Sequence, residues 1–236
     1  MKPYESEEEK AVQIGRMFDR IAPTYDRLNH LLSFSVDRLW RRRLVGLVSA
    51  RRPKTVLDMA TGTGDLALAM ARRIPGASIV GADISHGMLA VARKKAAGTP
   101  EVKFVHAAAE ELPFAEGAFD AATVAFGVRN FQDIPAALEG FRRVLVGGGA
   151  LYVLEFSGEQ DKILSPFYRF YSHRVLPLVG GLVSRHREAY RYLPLSVDEF
   201  PAAASFTALM EAAGFERCES KKLTGGIARI YIGFKP

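Results

Sequence analysis

Residues 55–65 of this sequence read as a strand, a glycine-rich turn and the start of a helix, one directly after another. β-branched and apolar residues come first, Thr61-Gly62-Thr63-Gly64 follows, and a helical apolar pattern begins at Leu66. Because glycine has no Cβ, Gly62 and Gly64 allow a sharp turn and let a ligand approach the backbone. The free amides of the first helical turn point toward the same space. The stretch therefore predicts a ligand-binding turn at the end of a buried strand.

Strands and helices alternate through the middle of the chain. Apolar runs predict strands at 55–60, 78–83, 102–105, 120–126 and 150–156, and helical spacing predicts helices at 65–74, 86–96 and 134–145. This alternation is typical of right-handed βαβ units and of a mostly parallel sheet with both faces covered. Two extended segments, 215–222 and 227–234, are expected to form a hairpin at the sheet edge.

The chain is expected to form one domain. It has 236 residues, of which 48% are hydrophobic and 25% charged, and no linker rich in Pro, Gly or Ser interrupts its middle. The expected parts of this single domain, 1–236, are a helical cap at 1–50, a cofactor-binding core at 55–157, a helical insertion at 158–196 that faces substrate or membrane, and a C-terminal helix with two strands at 197–236.

Three features favour a cytoplasmic location. The first ten residues are acidic and lack the apolar segment of a signal peptide. The apolar run at 175–183 has nine residues, whereas a membrane-spanning helix needs roughly 20. The single cysteine, Cys218, cannot form an internal disulfide, which fits a reducing compartment. The net charge of +6 permits contact with an anionic surface, but we expect no nucleic acid to bind.

The predicted turn suits an adenosine-containing ligand. In an open α/β sheet the ligand lies beyond the carboxyl ends of the strands. Residues 62–67 fit the pattern G-x-G-x-x-A, and Asp83 ends the second strand roughly 20 residues further on, where it can accept hydrogen bonds from both ribose hydroxyls. Taken alone, these two features suit either a nicotinamide cofactor or another adenosine-containing one.

Two further carboxylates favour a ligand with a positively charged end. Asp58 lies just before the turn, where it would repel a pyrophosphate. Asp65 lies at the start of the helix, where it also discourages a phosphate. The sulfonium or ammonium group of S-adenosylmethionine fits such a site better. The alternative is that Asp58 and Asp65 are only capping groups.

The same residues carry a resemblance to a known family. Leu57-Asp58-x-x-x-Gly62-x-Gly64, followed by Asp83, resembles motifs I and II of class I S-adenosylmethionine-dependent methyltransferases. Further motifs resemble the ubiquinone/menaquinone biosynthesis C-methyltransferases: Phe18-Asp19-x-Ile21-Ala22-x-x-Tyr25-Asp26-x-x-Asn29, Ala109-Glu110-x-Leu112-Pro113-Phe114, Gly127-Val128-Arg129-Asn130-Phe131, Leu154-Glu155-Phe156-Ser157 and Tyr190-Arg191-Tyr192-Leu193. The resemblance implies a Rossmann-like, mostly parallel seven-stranded sheet. It also implies transfer of a methyl group from S-adenosylmethionine to a ring carbon of a prenylated quinol.

The resemblance leaves the quinol open. Demethylmenaquinol is our first expectation, and 2-polyprenyl-6-methoxy-1,4-benzoquinol is the alternative. A nicotinamide-dependent oxidoreductase and a cofactor-binding subunit without catalysis are alternatives of other classes. A homodimer and a monomer are the alternatives for its oligomeric state.

Cofactor contacts are implied at Thr63, Asp83, Ala108, Ala109 and Ala125, beside the turn residues Asp58, Gly62 and Gly64. Two of these positions depart from the family. Position 108 is usually Asn or Asp, and position 125 is often Ser, so adenine recognition is expected to rest on backbone groups and apolar packing.

Methylation of a quinol carbon needs a phenolate, and a phenol has a pKa near 10. Arg129 stays protonated and is expected to stabilise the phenolate, while Asn130 orients a hydroxyl or a water. His173 is the candidate base because of its intrinsic pKa. A loop-fixing Arg–Asn pair and a structural His are the alternatives. No Cys/His ligand spacing is present, so no metal is expected.

The substrate's polyprenyl tail must come from a membrane. Residues 175–183, bracketed by Arg174 and Arg185, are a candidate for contact with the bilayer surface, which would place the protein peripherally at the inner face. The alternative is a buried helical hairpin over the active site.

Overall fold

One central sheet organises the protein in a computed structural model that describes residues 3, 8–160, 174 and 187–236, without the side chains of 187–191. The strands of this described part are β1 (Thr55–Met59), β2 (Ser78–Asp83), β3 (Val102–His106), β4 (Phe119–Ala125), β5 (Leu145–Phe156), β6 (Glu216–Leu223) and β7 (Ala228–Phe234). Their order across the sheet is β3-β2-β1-β4-β5-β7-β6. β1 to β5 run parallel, and β7 is antiparallel to β5 and β6. The expected seven-stranded, mostly parallel sheet and its edge hairpin are confirmed.

Helices precede, connect and follow these strands. Within the described ranges they are α1 (Lys10–Ile21), α2 (Tyr25–Leu32), α3 (Val36–Ser49), α4 (Asp65–Arg73), α5 (His86–Lys95), α6 (Ile134–Val144), α7 (Arg187–Asp198) and α8 (Ala203–Ala212). Short 3₁₀ turns lie at Val128–Asn130 and Thr224–Gly226. The strand order reverses at β1 and β4, so their carboxyl ends form the switch point where ligands bind in such sheets.

Both faces of the sheet are covered, which explains why its central strands are continuously apolar. On one face α6 and α8 supply Leu138, Phe141, Phe206 and Met210. On the other face α3 and α4 supply Trp40, Leu44, Leu66 and Met70. Neighbouring β1 residues consequently belong to opposite cores, as for Val56 and Leu57.

The N-terminal cap is a separate layer over the carboxyl end of the sheet. α1 and α2 are interrupted around Pro23, as the sequence predicts. Their apolar faces meet α5 and α7 in a third cluster that includes Ile14, Met17, Leu28, Met88 and Tyr192. The cap therefore packs on α5, which follows β2, and on α7, which precedes α8.

Two carboxylates fasten the cap to the core. Asp19 accepts hydrogen bonds from Ser85 Oγ at 2.6 Å and from the Gly87 amide at 2.7 Å. Asp26 accepts from Thr63 Oγ1 at 2.6 Å and from Lys95 Nζ at 2.9 Å. α1 is thus tied to the start of α5, and α2 is tied to the glycine-rich turn.

The structure differs from the expected boundaries in two places. β5 begins at Leu145, directly after α6, and not at the expected residue 150. Its first residues form an irregular stretch, in which the register moves from Phe119↔Leu145 to Ala121↔Ala150. α7 crosses the expected boundary at 196/197. Of the expected insertion, 161–173 and 175–186 lie outside the described residues.

Gly127 allows β1 and β4 to end close together. A Cβ built on Gly127 would lie 2.4 Å from Ala60 Cβ, whereas one built on Gly46 in α3 would meet nothing within 4 Å. We expect Gly127→Ala to lower the free energy of unfolding by about 1–3 kcal/mol because the added methyl overpacks this contact. Gly46→Ala is the matched control and should be neutral or stabilising by about 0.5–1 kcal/mol. Urea unfolding measures both, and equal stability of the two variants would contradict the close approach.

Candidate active site

The glycine-rich turn between β1 and α4 has the conformation that its sequence requires. Gly62 has φ 57° and Gly64 has φ 82°, both in the left-handed region that glycine tolerates. The Gly62 amide donates to Asp83 Oδ2 at 2.8 Å, and the Ser85 amide donates to Asp83 Oδ1 at 2.9 Å. Asp83 therefore joins the turn to the end of β2, and burial raises its pKa.

A small cavity lies at the switch point, and we call it the cofactor cavity. It has a volume of about 70 Å³. Five of the residues predicted to touch a cofactor line it: Gly62, Asp83, Ala108, Ala109 and Ala125. Met59, Ile84 and Met88 add apolar walls. The cap closes it with Ile14, Phe18 and Tyr25.

The chemistry of this cavity fits S-adenosylmethionine. A single strand-end carboxylate, Asp83, lies among apolar walls, as the hydroxyls of a ribose and the faces of an adenine require. Ala108 and Ala125 offer no side-chain hydrogen bond to an adenine. The cavity's volume of 70 Å³ is smaller than the roughly 300–1,000 Å³ of most ligand pockets.

The other predicted cofactor residues lie behind the turn. Asp58 is 1% exposed, and its two carboxylate oxygens accept from Thr61 Oγ1 at 2.6 Å and from Thr123 Oγ1 at 2.7 Å. Thr63 donates its hydroxyl to Asp26 in the cap, and Gly64 starts α4. Asp65 is paired with Lys95. Of the two carboxylates predicted to favour a positively charged ligand, Asp58 is thus buried beneath the turn and Asp65 is paired beside it.

A second cavity of about 260 Å³ lies beside the first, between α2, α3, α7 and the ends of β4 and β5. Its walls are mostly apolar and include Leu32, Phe34, Val36, Trp40, Phe156, Leu193, Val197 and Ile227. Tyr25 and Phe126 line both cavities. These two aromatic side chains therefore form the partition between a cofactor site and an apolar site.

Arg129 places a positive charge on the wall of the second cavity. It follows β4 on the 3₁₀ turn and is 6% exposed. Its Nη1 donates to Glu155 Oε1 at 2.5 Å and to the Phe126 carbonyl at 2.7 Å, and its Nε donates to Ser196 Oγ at 3.2 Å. Among the residues that the structure describes, Nη2 makes no hydrogen bond.

Sequence reasoning missed Glu155 as the partner of Arg129. Glu155 is 0% exposed near the end of β5, a central strand. A carboxylate inside such an apolar strand is a signal that a cation must lie nearby, because buried charges are almost always paired. The sequence alone did not identify which cation it was.

Asn130 is placed on the other side of the partition. It lines the cofactor cavity, and its Oδ1 accepts from Tyr192 Oη at 3.2 Å. Lys10 Nζ in α1 donates to the carbonyls of Arg129 at 3.1 Å and Phe131 at 2.7 Å, so the cap fixes this turn. His173, the predicted base, lies outside the described residues.

Tyr25 is a second residue whose role the sequence did not predict. Desolvation of its hydroxyl raises its pKa, while the charges of Arg129 and Arg41 and a hydrogen bond with Asn29 oppose the rise. The phenol is therefore neutral near pH 7.

No group of three or more His, Cys, Asp or Glu side chains in the described part of the chain could hold a metal ion.

The buried carboxyl group of Asp58 gives a pH-dependent stability. Burial raises the pKa of Asp58 to about 6, against the hydrogen bonds from Thr61 and Thr123. Since the folded pKa exceeds the unfolded one, its contribution to stability is complete below about pH 4 and is lost as the pH rises through 6. In Asp58→Asn this loss, roughly 3 kcal/mol, should disappear. Urea unfolding from pH 4 to 7.5 measures it, and an unchanged pH profile would contradict the assignment.

Comparison with known proteins agrees with this geometry. The chain matches the ubiE/COQ5 methyltransferase family over residues 4–235. A demethylmenaquinone methyltransferase of Thermus thermophilus is 53% identical over 221 residues, which cover 93% of this chain and 100% of that protein. The ubiquinone/menaquinone biosynthesis C-methyltransferase UbiE of Geobacter sulfurreducens is 47% identical, with 96% and 90% covered.

A solved structure with a similar fold is that of an S-adenosylmethionine-dependent methyltransferase from Thermotoga maritima, described as a possible histamine N-methyltransferase. Its TM-score is 0.65 at 21% identity, with 94% of this chain and 99% of that chain covered. This similarity supports the class I methyltransferase fold. The comparisons give the nicotinamide alternative no support. The chain, with its two adjoining cavities at the strand ends, belongs to the ubiE/COQ5 methyltransferase family of S-adenosylmethionine-dependent enzymes.

Proposed function

We propose that this methyltransferase transfers the methyl group of S-adenosylmethionine to a ring carbon of demethylmenaquinol. The S–CH₃ bond breaks, a C–CH₃ bond forms at the ring, and the ring proton is released. The observation that carries the proposal is that Tyr25 and Phe126 line both cavities, so that a ribose-binding cavity adjoins a larger apolar one. The Thermus thermophilus relative that bears the name of this activity supports the choice of quinol.

The cofactor supplies an electrophilic methyl group on a sulfonium. Asp83 binds the ribose hydroxyls, while Ala108, Ala109 and Ala125 pack around the adenine. Thr63 and Asp58 act indirectly, Thr63 by holding the cap and Asp58 by placing its charge beneath the turn. No metal takes part in this scheme.

Arg129 stabilises the phenolate that makes the ring carbon nucleophilic. Its Nη1 and Nε are held by Glu155, Phe126 and Ser196, so Nη2 is left for the substrate oxygen at the cavity wall. A charge fixed in advance in an apolar cavity stabilises an oxyanion more than a solvated charge does. Glu155 serves to aim the guanidinium.

Asn130 orients a quinol hydroxyl or a water from the cofactor side, and Tyr192 holds its amide in place. His173 is the proposed proton acceptor, because a histidine titrates close to neutral pH.

The alternative substrate is 2-polyprenyl-6-methoxy-1,4-benzoquinol, as the name of the Geobacter sulfurreducens relative permits.

The proposed setting is the cytoplasmic face of a membrane, with the protein bound peripherally. None of the described helices is long and apolar enough to cross a bilayer. The segment 175–183, proposed to touch the membrane, lies outside the described residues. A homodimer remains part of the proposal.

A label-transfer assay tests the function. The protein is given methyl-labelled S-adenosylmethionine with a short-chain demethylmenaquinol or with the matching methoxybenzoquinol, in detergent. We expect label in the naphthoquinol ring and a lower rate with the benzoquinol; the reverse preference would assign the alternative substrate.

S-adenosylhomocysteine at 100 times its Kd should stabilise the protein by about 2.7 kcal/mol, and NAD should have no effect. Stabilisation by NAD alone would reject the proposal.

A neutral double variant tests the role of Arg129. Removal of Arg129 alone would leave Glu155 buried and unpaired, at a cost of about 3–5 kcal/mol in stability. Arg129→Gln/Glu155→Gln avoids that charge, and we expect its kcat to fall by about 100-fold while it still binds S-adenosylhomocysteine. Glu155→Gln alone keeps the guanidinium and should lose much less activity. Wild-type turnover in the double variant would remove Arg129 from the mechanism.

A further inference from the structure

The corner between α2 and α3 exposes an apolar surface. Leu31, Phe34 and Leu39 are 59%, 79% and 56% exposed, and we call these three side chains the corner patch. Among the described residues the other exposed large hydrophobic side chains are Val12 and Leu195, which lie on α1 and α7. Three apolar side chains exposed within nine residues indicate a contact surface, whereas single ones need no explanation.

The backbone of the corner is fixed in an uncommon conformation. Phe34 and Ser35 have φ values of 50° and 59°, which bulky residues rarely adopt. The Ser35 amide donates to the His30 carbonyl at 2.7 Å. Beneath them the buried carboxylate of Asp37 accepts from Ser33 Oγ at 2.6 Å. Such local strain is typical of functional sites.

Two more contacts to Asp37 complete this support. His30 Nδ1 lies 3.0 Å from Asp37 Oδ2, and Arg41 also pairs with that oxygen. Phe34 is therefore presented outward on a rigid corner.

The corner patch is continuous with the second cavity. Ser33, Phe34 and Val36 line that cavity, and Phe34 is largely exposed as well. The apolar interior of the site consequently reaches the molecular surface at this corner. An apolar chain that leaves the cavity there meets the exposed side chain of Phe34.

Positive charge surrounds the corner patch. Arg27 precedes Leu31 by one helical turn, and Arg43 follows Leu39 by one turn, so each lies on the same helix face as its leucine. Arg38 and Arg42 form the neighbouring stripe of α3, and all four arginines are exposed. Of the nearby acidic groups, Asp37 is buried against Arg41, and Asp26 and Asp65 share Lys95.

We propose that the corner patch docks the protein on a bilayer that contains anionic phospholipid. Leu31, Phe34 and Leu39 enter the interface between headgroups and acyl chains, and the arginines contact the headgroup phosphates. The inference rests on the proposed function, because a polyprenyl tail in the second cavity would pass into the bilayer at this corner. A second copy of the chain is a poorer occupant, since a two-fold interface would set the same arginines against one another.

Vesicle co-sedimentation tests the proposal. The vesicles are neutral phosphatidylcholine, or phosphatidylcholine with phosphatidylglycerol, at low and physiological salt. We expect Leu31→Ser/Leu39→Ser, and separately Arg38→Gln/Arg42→Gln, to lower the partition coefficient on anionic vesicles by about tenfold or more. Val12→Ser/Leu195→Ser is the matched control and should bind as the wild type does. Thermal unfolding confirms that all three variants are folded.

Wild-type binding by both corner variants would overturn the proposal. The proposal would also fail if Leu31→Ser/Leu39→Ser changed the oligomeric state, measured by light scattering, but kept its binding to vesicles. Methyl transfer to a short-chain quinol in detergent separates this inference from the proposed function, since neither corner pair lines the cofactor cavity or the second cavity. Patch-dependent vesicle binding without methyl transfer would reject the function and leave the docking surface standing.

Discussion

The buried pair of Arg129 and Glu155 joins the ends of two central strands and sets the geometry around it. Glu155 projects from β5, so the guanidinium is held against the end of β4 and the 3₁₀ turn is fixed. Lys10 binds the outer carbonyls of that turn from the cap, and Ser196 contacts the guanidinium from α7. Because a lone buried charge is so costly, each of these elements is constrained by the need to keep the pair together. One electrostatic contact thereby locates Asn130 on one cavity and Arg129 on the other.

The cap completes both cavities, but by different means. Over the cofactor cavity it is fastened by hydrogen bonds and ion pairs from Asp19 and Asp26. Over the second cavity it contributes apolar side chains of α2 and α3. Polar contacts exchange readily with water, whereas apolar burial does not depend on a particular partner atom. Apolar packing of Ile14, Met17 and Leu28 against Met88 adds to the polar contacts. The cap is therefore held by both kinds of contact on the cofactor side, and mainly by apolar burial around the second cavity.

The sheet could be predicted from the sequence because each strand and helix has its own local pattern. The same patterns place the strand ends at one edge, so Gly62 and Asp83 are expected to lie together there. The family resemblance adds Ala108, Ala109 and Ala125, and all five residues line the cofactor cavity. The sequence could not show that Asp58 is bound by Thr123, since that contact spans 65 positions and depends on strand order. The Arg129–Glu155 pair and the second cavity depend on long-range packing in the same way.

The partition formed by Tyr25 and Phe126 has a consequence for the order of events during turnover. The cofactor cavity is covered by α1 and α2, while the second cavity reaches the surface at the corner of α2 and α3. In the proposed reaction, spent cofactor and methylated product would therefore leave by separate routes. Neither departure would require the other ligand to move, so the order in which the two products leave need not be fixed.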